Sequence, residues 1–340
     1  MNSTLAERLL PWFAAARRDL PWRKEPRDPY RVWVSEVMLQ QTRVDVVVPY
    51  YQRFLARFPT LCALAAAPLD DVLALWSGLG YYARARNLHR AARACTGKLP
   101  ASAAQLRALP GFGPYTAAAV ASLAFNEDVA LVDGNVARVL ARVFRLKGDA
   151  RARAWTIAAG LLPRGRAALF NEALMELGAT VCTPRSPDCP RCPLRQICRG
   201  KDDPTKYPTK RSRPARTLLE WRALALTRND GAVLLARRPE GALFAGLWDL
   251  PADRPAGIRL HGRLTSRGIV EQTLTHREVR VEIQAARASG TPSSGNVRWV
   301  APAGLSALGL SSLARKSLGR AGVLTPRRPS RTFDAGGGAE

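Results

Sequence analysis

The chain of 340 residues is short of cysteine, of acidic side chains and of long apolar runs, and each shortage excludes something. Six cysteines are too few for a disulfide scaffold at this length. The longest nearly apolar stretch, Ala117 to Phe125, falls well short of the roughly 20 residues a membrane span needs, so an integral membrane protein is not expected. Glu7 and Arg8 stand where a secretory signal would place an apolar run. Export is therefore not expected, and a reducing cytoplasm is the expected setting. The 27 acidic residues face 52 basic ones, for a formal charge of +25 and a pI near 11.1. Residues 1–200 carry +13 of this and residues 201–340 carry +12, so the excess is not a basic tail. Such a surplus attracts polyanions: nucleic acid first, an anionic membrane surface second, with Arg-rich genome composition as the bland explanation.

What is present suggests two domains, since length exceeds that of one average domain and 47% of residues are hydrophobic. Residues 5 to about 200 lack strand-like alternation. Apolar residues recur there at three- and four-residue spacing, as in Val34, Val37 and Met38 or Val136, Val139, Leu140 and Val143, which predicts helices. Residues 201–216, polar and holding three prolines with Lys201, Lys206, Lys210, Arg211, Arg213 and Arg216, read as a basic linker. Beyond it the period becomes strand-like. Trp221–Thr227, an Asn229-Asp230-Gly231 turn and Ala232–Arg237 predict a hairpin, Val279, Val281 and Ile283 alternate with charges, Arg298–Val300 fits a strand, and Ser311–Arg320 fits a helix. A smaller α+β domain over 217–322 follows, with a disordered Pro-, Arg- and Gly-rich tail over 323–340.

Two constellations carry chemistry. Leu109-Pro110-Gly111-Phe112-Gly113-Pro114, followed by Tyr115-Thr116 and an Ala-rich helix, predicts a helix-hairpin-helix. Gly111 and Gly113 would let the backbone approach a ligand, and free amides at the second helix's start would point at an anion such as a DNA phosphate. The second is Cys182, Cys189, Cys192 and Cys198, separated by six, two and five residues. Only one Cys-x-x-Cys knuckle occurs, whereas structural zinc usually takes two. A single loop supplying four thiolates suits an iron–sulfur cube at least as well.

The hairpin motif, Asp133 in Val132-Asp133-Gly134-Asn135 and the cysteine spacing together resemble the endonuclease III superfamily of DNA glycosylases. Ser35-Glu36-Val37-Met38-Leu39-Gln40-Gln41-Thr42, Leu20-Pro21-Trp22, Gly78-Leu79-Gly80-Tyr81-Tyr82 and Phe170-Asn171-Glu172-Ala173 are similar to its MutY branch, the adenine glycosylases. The resemblance is dense from Leu20 to Cys198 and thinner from Thr217 to about Arg320. It implies a mainly α N-terminal domain over 1–200 with a [4Fe-4S] loop held by Cys182, Cys189, Cys192 and Cys198. It also implies a Nudix-like C-terminal domain that recognises 8-oxoguanine, and a monomer acting on duplex DNA holding adenine opposite 8-oxoguanine or guanine. The stretch from Ala252 to Gln272 offers only Asp253 and Glu271, so a Mg²⁺-dependent Nudix hydrolase is not expected.

Breaking an N-glycosidic bond needs a proton for the departing base and negative charge beside an oxocarbenium-like sugar, which two carboxylates with separated pKa values can supply. The resemblance implies that Glu36 protonates adenine N7 and later activates water, while Asp133, oriented with Asn135 and Tyr115, stabilises the sugar cation. Asp133 could equally cap the helix after it. Tyr115 stands where bifunctional members of the superfamily carry a Schiff-base lysine, so a lyase step of that kind is excluded. Trp22, Arg23 and Glu172 would line the base pocket. Leu39, Gln41, Thr42 and Tyr81 would fill the gap in the duplex or meet the opposite base, and Arg84 and Arg86 would contact phosphates. Leu274-Thr275-His276 stands where the family commonly has Phe-Ser-His; Thr275 keeps the hydroxyl, Leu274 loses the ring, and His276 would meet the damaged guanine. His89 is read as structural. The rivals are a same-fold glycosylase for thymine opposite guanine, and a DNA-binding or redox-sensing protein.

Overall fold

The computed structural model describes residues 2–209 and 215–324. The chain divides into two compact units, Met1–Arg213 and Pro214–Glu340. Lys210, Arg211 and Arg213 of the expected linker, and residues 325–340 of the expected tail, lie outside the described residues.

The first unit is helical: α1 (Asn2–Ala16), α2 (Pro29–Leu39), α3 (Val44–Arg57), α4 (Leu61–Ala66), α5 (Leu69–Trp76), α6 (Ala83–Ala94), α7 (Ala103–Leu106), α8 (Pro114–Phe125), α9 (Gly134–Val143), α10 (Ala150–Leu161) and α11 (Ala167–Thr180). Val136, Val139, Leu140 and Val143 form the apolar stripe of α9 and are buried in one core with residues of α1, α10 and α11. Helix α8 is apolar all round, with Ala117 to Ala121 buried. Its small side chains let α2, α7 and α11 all pack against it, so α8 lies at the centre of the unit. Local chemistry fixes the starts of the key helices. Asp28 accepts from the amides of Tyr30 and Arg31 ahead of α2, Pro114 occupies the first position of α8, and Asp133 accepts from the Val136 amide ahead of α9. Residues Pro204 and Tyr207 of the polar stretch are tied to this unit, because their carbonyls accept from buried Arg142 at 2.8 and 3.2 Å.

The described residues of the second unit form a mixed sheet flanked by a helix: β1 (Thr217–Thr227), β2 (Val233–Arg237), β3 (Trp248–Asp249), β4 (Ile258–Thr273), β5 (Arg277–Gly290), β6 (Val297–Val300) and α12 (Ser312–Arg320). The order is β3-β2-β1-β5-β4, with β6 on β2; β1 runs parallel to β5 and antiparallel to β2. Val279, Val281 and Ile283 point into the core as their alternation predicts, and the Asp-Gly turn joins β1 to β2 with Gly231 at φ 82. The stretch Ala252–Gln272, without a sequence signal for regular structure, contains most of β4, an edge strand broken by bulges near His261 and Ser266. No helix among the described residues is long and apolar enough to cross a membrane.

Candidate active site

A cavity of about 1510 Å³ opens in the first unit and brings together side chains of α2, the hairpin, the turn before α9, and α11. Glu36, on the inner face of α2, is only 3% exposed, and the Tyr115 hydroxyl at the start of α8 donates to its Oε2 at 2.5 Å. Burial lifts the Glu36 carboxyl to about 7; the Tyr115 hydrogen bond opposes this, Asp133 and Glu172 add to it, and Arg23 pulls it down. Tyr115 itself is raised well above a normal phenol, first by burial and then by the negative potential of Glu36 and Asp133. Asp133 accepts from the Val136 amide at 2.7 Å and from Asn135 Nδ2 at 3.0 Å. Its carboxyl is also raised, by burial, while these hydrogen bonds and Arg138 pull the other way. The cavity therefore holds one carboxyl poised to carry a proton near neutrality, beside a second whose hydrogen bonds partly offset the burial that raises it. Asp133 caps α9 and also lines the cavity.

Another wall is an ion-pair network centred on the buried carboxylates of Glu172 and Glu176. Glu172 lies 3.3 Å from Arg23 and 2.9 Å from Arg27, and Glu176 binds Arg18 at 2.6 Å and Arg23 at 2.9 Å. Trp22, buried on the same wall, packs edge-on against Tyr51 with ring centroids 5.3 Å apart. Burial alone would raise Glu176, but the hydrogen bonds from Arg18 and Arg23 outweigh it and hold the carboxyl below its usual value. Arg18, Arg27 and Glu176 escaped the sequence reading. Their signal was available, since Glu172 and Glu176 are four apart on one helix face and three arginines cluster between residues 17 and 23. Gly178 was also missed. A Cβ there would stand 2.6 Å from the Asn135 Cβ, so only glycine lets α11 approach the Asp133–Asn135 turn.

Three of the expected residues line the cavity mouth, and Tyr81 lies in a separate turn joined to theirs through Arg84. Leu39, Gln41 and Thr42 follow one another out of α2 along the cavity mouth, and Tyr81, 44% exposed, lies in the turn before α6. Gln41 and Tyr81 both sit at positive φ, 57° and 49°, a conformation that costs an ordinary side chain about 1–2 kcal/mol. Arg84, expected on a phosphate, is corrected here: it is 8% exposed and its guanidinium is spent on backbone carbonyls beneath these turns. Gly111 (φ 80) packs its Cα against Asn87, where a Cβ would come within 2.5 Å, whereas Gly113 faces open space at the cavity mouth. His89 is structural, its Nε2 lying 2.9 Å from the Ala67 carbonyl.

Cys182, Cys189, Cys192 and Cys198 line a single small cavity walled by Val139, Val143 and Leu194, and the guanidinium of Arg142 donates to Cys182 Sγ at 3.1 Å. Among the described residues no three such side chains converge on a point that could hold one metal ion. Four soft donors around one apolar cavity fit a polynuclear, sulfur-ligated group better than a lone cation. In the second unit Leu274-Thr275-His276 forms the tip between β4 and β5. Thr275 and His276 are exposed, while Leu274 turns partly into the core.

Residues 34–161 match the HhH-GPD superfamily of base excision DNA repair proteins, and residues 222–320 match the NUDIX domain family. The adenine DNA glycosylase of Rattus norvegicus is 39% identical over 321 residues, covering 75% of this chain and 62% of that protein. The adenine DNA glycosylase of Schizosaccharomyces pombe is 35% identical over 314 residues, covering 72% and 68%. A solved thermostable thymine-DNA glycosylase superposes with a TM-score of 0.54 at 30% identity, over 59% of this chain and 96% of that one. The chain spans less than two thirds of the rat relative's length. With the hairpin, the carboxylate cavity and the second sheet in one chain, the protein belongs to the adenine DNA glycosylase family of the helix-hairpin-helix superfamily.

Proposed function

We propose that the protein is a monofunctional glycosylase that removes adenine mispaired with 8-oxoguanine or guanine from duplex DNA, working as a monomer. The observation that carries this reading is the buried Glu36 carboxyl, held near neutrality beside a hydrogen-bonded Asp133. Glu36 gives its proton to adenine N7; the C1′–N9 bond then breaks with its electron pair leaving on the base. The carboxylate of Asp133, steadied by Asn135, stabilises the sugar cation until water adds at C1′ and returns a proton to Glu36. Tyr115 supplies a phenol where a lysine would form an imine, so hydrolysis ends at an abasic site. Trp22, Arg23 and Glu172 form the wall against which the extruded base would lie. Leu39, Gln41, Thr42 and Tyr81 would occupy the space it leaves, and Gly111 and Gly113 would meet the backbone. Thr275 and His276 are the second unit's contacts to the base opposite.

The decisive assay presents duplexes carrying adenine opposite 8-oxoguanine, adenine opposite guanine, or thymine opposite guanine, then cleaves abasic sites with alkali. Breaks in the first two are expected. A break only in the third would assign the protein the activity for which its thymine-glycosylase relative is named.

The four cysteines would hold a [4Fe-4S] cluster, which would cross-link the 182–198 loop through four thiolates. Arg142 positions that loop by binding the Cys182, Thr183 and Pro184 carbonyls. Purified protein is expected to be brown, with about four iron atoms per chain, and Cys192→Ser to lose most of that iron. Colourless protein with stoichiometric zinc would overturn the assignment.

A further inference from the structure

Arg84 is a buried cation with six acceptors and two strained turns around it. Its Nη1 lies 2.8 Å from the Val37 carbonyl, 2.9 Å from that of Met38 and 2.6 Å from that of Gln40. These are carbonyls at the end of α2, where a helix leaves its last acceptors unpaired. Its Nη2 donates to the carbonyls of Leu79 (3.4 Å) and Gly80 (3.2 Å) and to Thr42 Oγ1 (3.3 Å). The guanidinium carbon stands 5.5 Å from the Trp76 ring centroid and 5.4 Å from that of Tyr81. Trp76 Nε1 also donates to the Gly80 carbonyl, at 3.1 Å. One side chain thus joins the helix that carries Glu36, the turn that carries Gln41 and the turn that carries Tyr81. Burial pulls Arg84 down to about 10, which leaves it charged at neutral pH.

We propose that Arg84 is a positioning residue that locks the 40–42 and 79–81 turns to the end of α2, so that Gln41 and Tyr81 meet the duplex as one rigid pair. The proposal rests on the function proposed above, because it gives those two side chains the task of separating adenine from its partner. Strained turns persist only where the surroundings over-determine them, and Arg84 is the group common to both. A lysine keeps the charge but is a point donor that cannot reach two sets of carbonyls with a planar fork. It should release the two turns from each other without removing the cavity.

The test compares wild type and Arg84→Lys on two duplexes, one with adenine opposite 8-oxoguanine and one with adenine opposite an abasic-site analogue, where no pairing has to be broken. Under single turnover, release from the paired duplex should slow by about 100-fold, the loss that a displacement of about 1 Å can cause. Release from the unpaired duplex should stay within about threefold of wild type, since the reacting groups are untouched. In a Glu36→Gln background, 2-aminopurine at the target position should brighten on binding with Arg84 intact and stay dim in the Glu36→Gln, Arg84→Lys double variant. Equal slowing on both duplexes, or no slowing on either, would overturn the proposal. Should Arg84→Lys fail to fold, Gly80→Ala serves instead: Gly80 lies at φ 72 with nothing within 4 Å of a Cβ, so alanine strains the turn without a clash. It should show the same split between duplexes, and the same uniform result would overturn it. Wild type that releases adenine from neither duplex would refute the function rather than the role of Arg84.

Discussion

Glu36→Gln is expected to slow adenine release by about 10³-fold while leaving duplex binding nearly intact, because it removes the proton donor and keeps an oxygen to accept from Tyr115. The same change should raise stability above pH 7. The folded protein holds the Glu36 proton up to about 7, against an ordinary value of 4.5. The native state therefore binds more protons than the unfolded state over that interval, and stability falls as pH rises through it. Below 4.5 the carboxyl is neutral in both states and costs nothing; above about 7 the full cost of a buried charge is present, of order 3 kcal/mol. A neutral amide avoids it, so the variant's melting temperature should exceed that of wild type at pH 8 and approach it at pH 4.5. Activity should follow the opposite requirement. The acid form of Glu36 starts the reaction, so the rate of wild type should decline as pH rises past about 7. A Glu36→Gln variant that cuts at the wild-type rate, or that melts lower at pH 8, would remove Glu36 from this role.

The site carries instability that the rest of the unit offsets, and the division matches what could be read in advance. Three- and four-residue spacing announced α2 and α9, the run from Ala117 announced a helix buried on all sides, and Pro110 to Pro114 announced the turn that sets Tyr115 over Glu36. These are local signals, and local signals survive in a linear text. Arg84 was misplaced because its acceptors lie 42 to 47 residues earlier for α2 and its turn, and an arginine in a chain of +25 carries no mark of being buried. The pairing of Glu176 with Arg18 spans 158 residues, and the need for glycine at 178 exists only because Asn135 of another helix presses on it. Strand β4 stayed hidden for a related reason. It is an edge strand exposed over much of both faces, so its pattern lacks alternation and its pairing with β5 alone makes it a strand.

Asp133 is the residue in which structural and chemical roles overlap, and two substitutions should separate them. One oxygen caps α9 through the Val136 amide; the other accepts from Asn135 and belongs to a carboxylate facing the cavity. Asparagine is nearly as good an N-cap as aspartate, so Asp133→Asn should leave the melting temperature close to wild type. It removes the negative charge from beside the developing sugar cation, for an expected loss of about 10²–10³-fold in single-turnover adenine release. Asp133→Ala removes the charge and the cap together. It should lose activity to a similar degree and also destabilise the unit by about 1 kcal/mol, the usual worth of such a cap. If Asp133→Asn retained wild-type activity, Asp133 would be a helix cap and no more, and the sugar cation would have to be stabilised by another group of the cavity. If both variants melted like wild type, the cap would be redundant. The expected pattern, asparagine stable and inactive, alanine unstable and inactive, arises only when one carboxylate orders the start of α9 and supplies charge to the cavity. The order it imposes on that turn holds Asn135 against Gly178 and fixes the second oxygen where the reaction would need it.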